Sequence, residues 1–424
     1  MGPPGEGIDS ATLTERLEDS DHELVDIRPL AAYNGWRLRG EPRGGHLPGA
    51  TSLPLTWFES VAVEPLLEQR GPTPEQPVTV YGYDAAQVRP AVDALREHGY
   101  DELTSYTGFV DEWAADRDRP LERLSRYDQL VSPRWVKAVV GDEPVPQPPA
   151  EDVVICHVHF DNPADYDAGH VPGAIPLDTK ALEAPPDWNR RPPAELERTL
   201  RRHGIRHDTT VVLYGRPMDT PSGDPDVNPH PGHLGAMRAA VILLYAGVDD
   251  VRVLNGGLAA WNLAGFDLET GESTPTPVDE FGAAVPERPD LIIDTPEAKS
   301  WLEADDKDLV SVRTEEEYDG DTSGYTYISE RGHIRGAVFV PSGSDPDHVE
   351  PYRNPDETMR EYPAVAAMWE REGVDPDRHL AFYCGTGWRS SEAFMHAYLM
   401  GWSDVAVYDG GWHVWSSDPD NPTG

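Results

Sequence analysis

The chain has 424 residues, room for two to four domains at roughly 100–200 residues each. Hydrophobic residues make up 38%, and 12 tryptophans with recurrent Val/Ile/Leu runs exclude a wholly disordered chain. A net charge of −41, from 76 acidic against 35 basic residues, excludes nucleic acid or an anionic membrane as partner, because both need clustered Lys and Arg.

No stretch approaches the ~18 apolar residues that a membrane-spanning helix needs. The opening Met-Gly-Pro-Pro-Gly-Glu-Gly has no basic segment followed by an apolar run. Both point to a cytoplasmic protein. Only four of the basic residues are Lys (Lys137, Lys180, Lys299, Lys307), and the acids are spread along the whole chain. Two causes compete: a negative surface required by catalysis, or solubility in a salty cytoplasm. The even spread favours salt. At ~1 M the Debye length is about 3 Å, so distant carboxylates would barely oppose an anionic substrate. Two cysteines, Cys156 and Cys384, are too few for a disulfide framework and form no CxxC metal pair.

In chain order, one unit is written three times. It opens with a strand-like run and a tyrosine: Leu-Val-Asp26-Ile-Arg28 with Tyr33, Val-His159-Phe-Asp161 with Tyr166, and Val-Ser311-Val-Arg313 with Tyr318. A Gly-His turn follows, containing His46, His170 or His333. Next comes a run ending in tyrosine: Val78–Tyr81, Val211–Tyr214 and Ala381–Tyr383. A helical segment then ends at Gly99, Gly247 or Gly401. Each unit closes on a glycine turn and a tryptophan, Gly108 with Trp113, Gly256-Gly257 with Trp261, and Gly410-Gly411 with Trp415. Gly99 to Gly247 and Gly108 to Gly256 are both 148 residues, while Gly247 to Gly401 and Gly256 to Gly410 are both 154. Five markers in one order three times mean three homologous domains.

Strands alternating with helices imply α/β domains, each a mostly parallel central sheet flanked by helices. The domains are expected over 1–125, 126–277 and 278–424, the second boundary falling in the linker-like Gly-Glu-Ser-Thr-Pro-Thr-Pro of 271–277. Ser10, Ser132-Pro133 and Thr295-Pro296 are expected helix caps. The middle domain carries an insert around 216–233, expected to be an exposed loop. Its His230 and His233 are weak candidates for a metal site.

The chemistry concentrates after the third run. The position following its tyrosine is Gly82 in the first domain, Gly215 in the second and Cys384 in the third. The text there is Cys384-Gly385-Thr386-Gly387-Trp388-Arg389, a loop between strand and helix. Ligands of open α/β sheets bind beyond the carboxyl ends of strands. A loop entering a helix N-terminus can converge its backbone N–H groups into an anion nest. A thiol at that focus, beside Arg389, should be largely thiolate near neutral pH and able to carry a persulfide. Trp388 should wall the pocket. Arg313 suits either an anchor for an anionic substrate or a domain-interface salt bridge. Cys156, in an apolar β-type run, reads as core. The three histidine turns occur also in the two domains without a nucleophile, so they read as structural, and the closing tryptophans as core.

These residues resemble the rhodanese superfamily: the Asp-x-Arg-type strand, the Gly-His-x-Pro-Gly-Ala turn, the Cys-containing six-residue loop and the Gly-Gly…Trp ending. The resemblance spans nearly the whole chain as three rhodanese-like domains. It implies ping-pong sulfur transfer, in which the Cys384 thiolate attacks thiosulfate or a similar donor and releases sulfite. The resulting persulfide, held by residues Gly385, Thr386, Gly387, Trp388 and Arg389, passes its outer sulfur to cyanide or a protein thiol. Arg389 and Arg313 would stabilise the anionic donor. No cofactor or metal is implied. By the same pattern the first two domains are inactive, with Gly82 and Gly215 at the cysteine position. Three departures stand out: Gly385 where thiosulfate users often carry a basic residue, Ser311 for the aspartate, and Arg335 for the turn proline.

Two rivals share these residues. A cysteine phosphatase or arsenate reductase needs five residues between Cys and Arg, whereas here there are four, a loop better sized for one sulfur atom. A non-catalytic persulfide carrier or scaffold serving one partner protein would explain two domains without nucleophiles.

Overall fold

The computed structural model describes residues 6–60, 62–217, 232–271 and 273–424. The chain divides into two compact units, Met1–Asp128 and Gln129–Gly424. In the first, five parallel strands lie in the order Glu6–Gly7, Leu103–Tyr106, Val78–Tyr81, Glu23–Asp26 and Thr51–Ser52. The second holds two further sheets of the same order. One runs Leu130–Val131, Asp250–Leu254, Thr210–Tyr214, Val153–His159 and Ile175–Asp178. The other runs Ile292–Ile293, Val405–Tyr408, His379–Tyr383, Lys307–Arg313 and Val338–Pro341. The α/β class and the mostly parallel sheets expected from the repeats are those of the structure.

The central strands are Val-Thr-Val-Tyr, Thr-Val-Val-Leu-Tyr and His-Leu-Ala-Phe-Tyr, with nearly every residue buried. Burial on both faces is what a helix-covered parallel sheet demands, and β-branched and aromatic side chains meet it. Trp113, Trp261 and Trp415 are fully buried, as core residues should be. Among the described residues no helix is long and apolar enough to cross a membrane.

The three histidine turns have one geometry. Each ring stacks on the tyrosine of its own unit, with centroids 3.5 Å apart for His46 on Tyr33, 3.9 Å for His170 on Tyr166 and 3.8 Å for His333 on Tyr318. In each, Nδ1 donates to that tyrosine's carbonyl oxygen at 2.8–2.9 Å. The N–H of the next residue donates to the hydroxyl of the tyrosine ending the central strand: Leu47 to Tyr81, Val171 to Tyr214 and Ile334 to Tyr383. The recurrent tyrosines and histidines thus form one staple between turn and sheet, buried in the first two units and half-buried in the third.

Two expected caps shift by a residue. Asp9, not Ser10, accepts from the first turn, at 2.9 Å from Thr12 N. Ser10 instead bonds the Tyr106 and Glu112 side chains. Asp294 caps the helix Thr295–Trp301 in a capping box with Glu297, which frees Thr295 to bond the Tyr408 hydroxyl at 2.9 Å. Ser132 caps as expected, accepting from Trp135 N. His230 lies outside the described residues. His233 departs from the exposed-loop expectation: it is buried in the first turn of the helix Gly232–Ala246. Among the described residues no group of three His, Cys, Asp or Glu is placed to hold a metal ion.

Removing one staple should weaken its unit without changing the fold. The variant His46→Ala is expected to lower unfolding free energy by roughly 1–3 kcal/mol, the cost of orphaning a buried polar group. Denaturant titration followed by tryptophan fluorescence checks this, and an unchanged midpoint would show the ring to be dispensable.

Candidate active site

The strand His379–Tyr383 ends directly at Cys384, and the helix Trp388–Met400 begins four residues later. Gly387, at φ 104°, occupies the left-handed conformation that caps this helix and turns its N–H inward. That N–H donates to Cys384 Sγ at 3.2 Å, and Ser390 Oγ lies 3.7 Å from the same sulfur. Behind the loop, Trp412 N donates to the Cys384 carbonyl at 2.8 Å and His413 N to that of Gly385 at 3.1 Å. The thiol is 1% exposed. Burial alone would push its pKa up, but the Arg389 charge, the Ser390 N–H and hydroxyl and the Gly387 N–H together bring it below that of an ordinary thiol. Cys156 shows the contrast: equally buried and without such partners, its thiol is pushed up to about 12.

Arg389 is held by a glutamate that motif reading passed over. Its Nη1 and Nη2 donate to Glu317 Oε2 and Oε1 at 2.7 and 2.9 Å, and further to Ser342 Oγ at 2.8 Å and the Tyr325 hydroxyl at 2.7 Å. Glu317 comes from a capping box, Thr314 to Glu317, at the start of the helix Glu315–Asp319. The Thr-x-x-Glu signal is visible in the sequence, yet nothing there says that the carboxylate also faces inward.

Arg313 occupies neither of the places expected for it. It is fully buried inside the third domain, donating to Glu317 Oε1 at 3.3 Å, to the Gly332 carbonyl at 2.6 Å and to the Ser323 carbonyl at 3.3 Å. All three partners belong to its own domain, so it bridges no interface, and it does not line the cavity. It buttresses Glu317 instead.

A cavity of ≈ 70 Å³ opens beside the loop, lined by Tyr325, Tyr327, Pro346, Thr386, Trp388 and Arg389 together with Phe160, Trp188 and Leu234 of the middle domain. Of the expected site residues, Thr386, Trp388 and Arg389 line it, while Gly385 and Gly387 form the backbone behind. Gly385 has a steric reason: a Cβ there would lie 2.3–2.4 Å from the Tyr325 ring. The basic residue common among thiosulfate users at this position would have to displace that ring. Burial raises the Tyr325 hydroxyl far above its usual range and Tyr327 to about 12, so both stay protonated donors at neutral pH. Tyr325, Tyr327 and Trp188 belong to no repeated marker, and Phe160, inside the second unit's opening run, stands where the other units have Ile27 and Val312; only the tertiary fold gathers them.

The two corresponding glycines sit in closed surroundings. A Cβ on Gly82 would meet Ile27 and Val88 at 3.1 Å, and one on Gly215 would meet the Gly232 backbone at 2.1 Å. At Gly215 a side chain would collide with backbone, whereas at Gly82 the Ile27 and Val88 side chains would have to give by a few tenths of an ångström.

The Glu317–Arg389 pair gives a pH signature. Burial alone would raise the Glu317 pKa, yet the Arg389 and Arg313 charges and the Thr314 N–H outweigh it and depress the carboxyl from 4.5 to about 2. Its contribution to stability is therefore complete above 4.5 and is lost as the pH falls towards about 2. Unfolding midpoints measured across that window are expected to drop more steeply for the wild type than for Glu317→Gln. Equal slopes would contradict an ionised, paired glutamate.

Comparison with known proteins meets this geometry. The rhodanese-like domain family matches at residues 9–116, 149–264 and 294–418. Thiosulfate sulfurtransferase YnjE of Escherichia coli (strain K12) is 38% identical over 96% of this chain and 90% of its own. The anaerobic ergothioneine biosynthesis enzyme from Chlorobium limicola, solved with its natural substrate trimethyl histidine, is 44% identical with a TM-score of 0.96, covering 99% of each chain. EanB, solved as a cysteine persulfide in a tetrahedral intermediate state with ergothioneine, is 44% identical with a TM-score of 0.95, covering 98% of this chain and 99% of that one. With its strand order repeated in three sheets and three matches along its length, the chain belongs to the rhodanese-like family of sulfurtransferases.

Proposed function

We propose that Cys384 takes a sulfane sulfur from a donor such as thiosulfate and delivers it, through a persulfide, to the imidazole of a trimethylammonium-bearing histidine. The observation that carries this reading is the aromatic pocket beside the thiol. Phe160 lies 5.5 Å from Trp188 and 5.8 Å from Trp388, ring centroid to ring centroid, and Tyr325 and Tyr327 complete the wall. Aromatic faces attract a quaternary ammonium through their quadrupoles, by about 2 kcal/mol or more once water is removed. Cyanide, or an extended protein thiol, has no use for such a box.

The relatives support the same assignment. In the persulfide structure of EanB the altered tyrosine and the persulfide cysteine are 59 residues apart, the separation of Tyr325 and Cys384. A threonine altered in a hercynine complex of EanB stands two residues beyond that cysteine, as Thr386 does beyond Cys384. Tyr325 and Thr386 are thus the candidates to hold the acceptor ring by hydrogen bonding, with the Cys384 sulfur as the reacting atom.

In the first half-reaction the thiolate attacks the donor's sulfane sulfur. The new S–S bond forms as the old one breaks, and the donor's remainder leaves with the electron pair, as sulfite when thiosulfate is used. In the second, a carbon–sulfur bond forms at the imidazole, its C–H proton is lost, and Cys384 departs as thiolate. Covalent catalysis divides one difficult transfer into two displacements. Glu317 pairs with both Arg389 and Arg313, which leaves one net positive charge behind the thiol and suits an anionic donor such as thiosulfate. The first two domains, over 1–125 and 126–277, take no chemical part in this scheme, and the middle one supplies three of the nine residues that line the pocket.

Similarity to the Escherichia coli enzyme favours a second reading, general thiosulfate sulfurtransfer to cyanide, and one set of assays separates the two. Intact-protein mass after donor treatment is expected to rise by about 32 Da, one sulfur, and not to rise in Cys384→Ser. Incubation of the loaded protein with trimethylhistidine should remove that mass and yield the thiolated product. The variant Trp188→Ala should weaken trimethylhistidine use by roughly tenfold while leaving discharge by cyanide unchanged. Discharge by cyanide but not by trimethylhistidine would favour the second reading.

A further inference from the structure

The helix Gly232–Ala246 of the middle domain packs against the helix Trp388–Met400, and it carries a fully buried arginine to the back of the thiol loop. Arg238 Nε donates to Glu183 Oε2 at 2.9 Å and its Nη2 to Asp409 Oδ1 at 2.5 Å. Asp409 precedes the Gly410-Gly411 turn that backs Cys384, and it also accepts from Arg190 at 2.9 Å. The second oxygen of Glu183 accepts the indole N–H of Trp388 at 2.8 Å. Glu183, Arg238 and Asp409 are all fully buried. A Cβ on Gly387 would lie 2.9 Å from Arg238 Nη1, so the same guanidinium also presses on the loop.

Building on the proposed function, we infer that Glu183 is a positioning residue: it fixes the Trp388 indole as one wall of the acceptor pocket, making sulfur delivery, but not sulfur loading, depend on the middle domain. An indole has one polar atom, and a buried carboxylate accepting from it selects a single ring orientation. Burial pushes the Glu183 carboxyl up, and the Arg238 guanidinium donating to it supplies the countercharge that opposes this. The indole's partner also leaves negative charge at the ring edge remote from the cavity, which strengthens attraction of the ring face for a cation. Loading asks for none of this, because the small donor meets only the thiol and its N–H nest.

The test compares full-length Glu183→Gln, Trp388→Phe and the double variant. The glutamine cannot accept from both the indole and Arg238, whereas Trp388→Phe reaches the same contact from the other side and keeps Glu183 paired with Arg238. Glu183→Gln is expected to raise the trimethylhistidine KM roughly tenfold while Cys384 persulfide formation stays within about twofold. In the Trp388→Phe background the same change should add less than about twofold, because its effect runs through the indole. Additive losses, or an equal fall in loading, would overturn the inference. An independent arm follows the Trp388 indole ¹⁵N–H resonance, assigned by its absence in Trp388→Phe. It should shift in Glu183→Gln, and an unmoved signal would overturn the inference whatever the acceptor. Failure of the wild type to act on trimethylhistidine would instead refute the functional reading, leaving the resonance to decide the role of Glu183.

Discussion

A thiol must be brought below its ordinary pKa where water hardly reaches it, and that constraint organises the third domain. Desolvation opposes a thiolate at a site 1% exposed, so the protein substitutes fixed donors for solvent. The Gly387 N–H, the Ser390 hydroxyl and N–H and the Arg389 charge converge on Cys384. Each donor is itself immobilised. Gly387 is held by its left-handed backbone, Ser390 by the helix, and Arg389 by Glu317, Ser342 and Tyr325. A persulfide anion would meet the same donors with little rearrangement.

The buried pairs divide into two layers with different consequences. Glu317, Arg389 and Arg313 lie within the third domain and concern the charge on sulfur. Glu183, Arg238 and Asp409 join the middle and third domains and concern the acceptor wall. Both are charge-rich and fully buried, so removing a single member leaves an uncompensated charge and is costly. The middle domain lost any room for a nucleophile at Gly215 but gained, in its hairpin of Glu183–Ala184 and Asn189–Arg190, residues that complete another domain's pocket. Gene repetition followed by division of labour is a simple account of that arrangement.

Sequence alone disclosed the threefold fold and the position of the thiol, because both are periodic or local. Markers 148 and 154 residues apart survive as repeated text, and Cys384 stands out against Gly82 and Gly215 at the same register. The acceptor pocket was not legible in the same way. Phe160 and Trp188 are single aromatics on separate segments more than 190 residues before Trp388; folding of the middle domain brings them to 5.5 Å, and packing of the third domain brings Trp388 to 5.8 Å from Phe160. Arg313 was misplaced for a related reason. Its strand does end at the right sheet edge, but Glu317, one helical turn later, captures its guanidinium before it can reach the cavity. The shifted caps at Asp9 and Asp294 are smaller cases, in which a carboxylate one residue earlier outcompetes a hydroxyl for the helix N–H groups.

The most direct test of the account follows a labelled sulfur through one turnover. Protein loaded with ³⁵S at Cys384, freed of donor and mixed with trimethylhistidine, should lose its label to the thiolated acceptor in a single exponential, one sulfur for each persulfide. Label that remains on the protein, or that appears only as sulfide, would contradict delivery from Cys384 to an acceptor seated in the aromatic pocket.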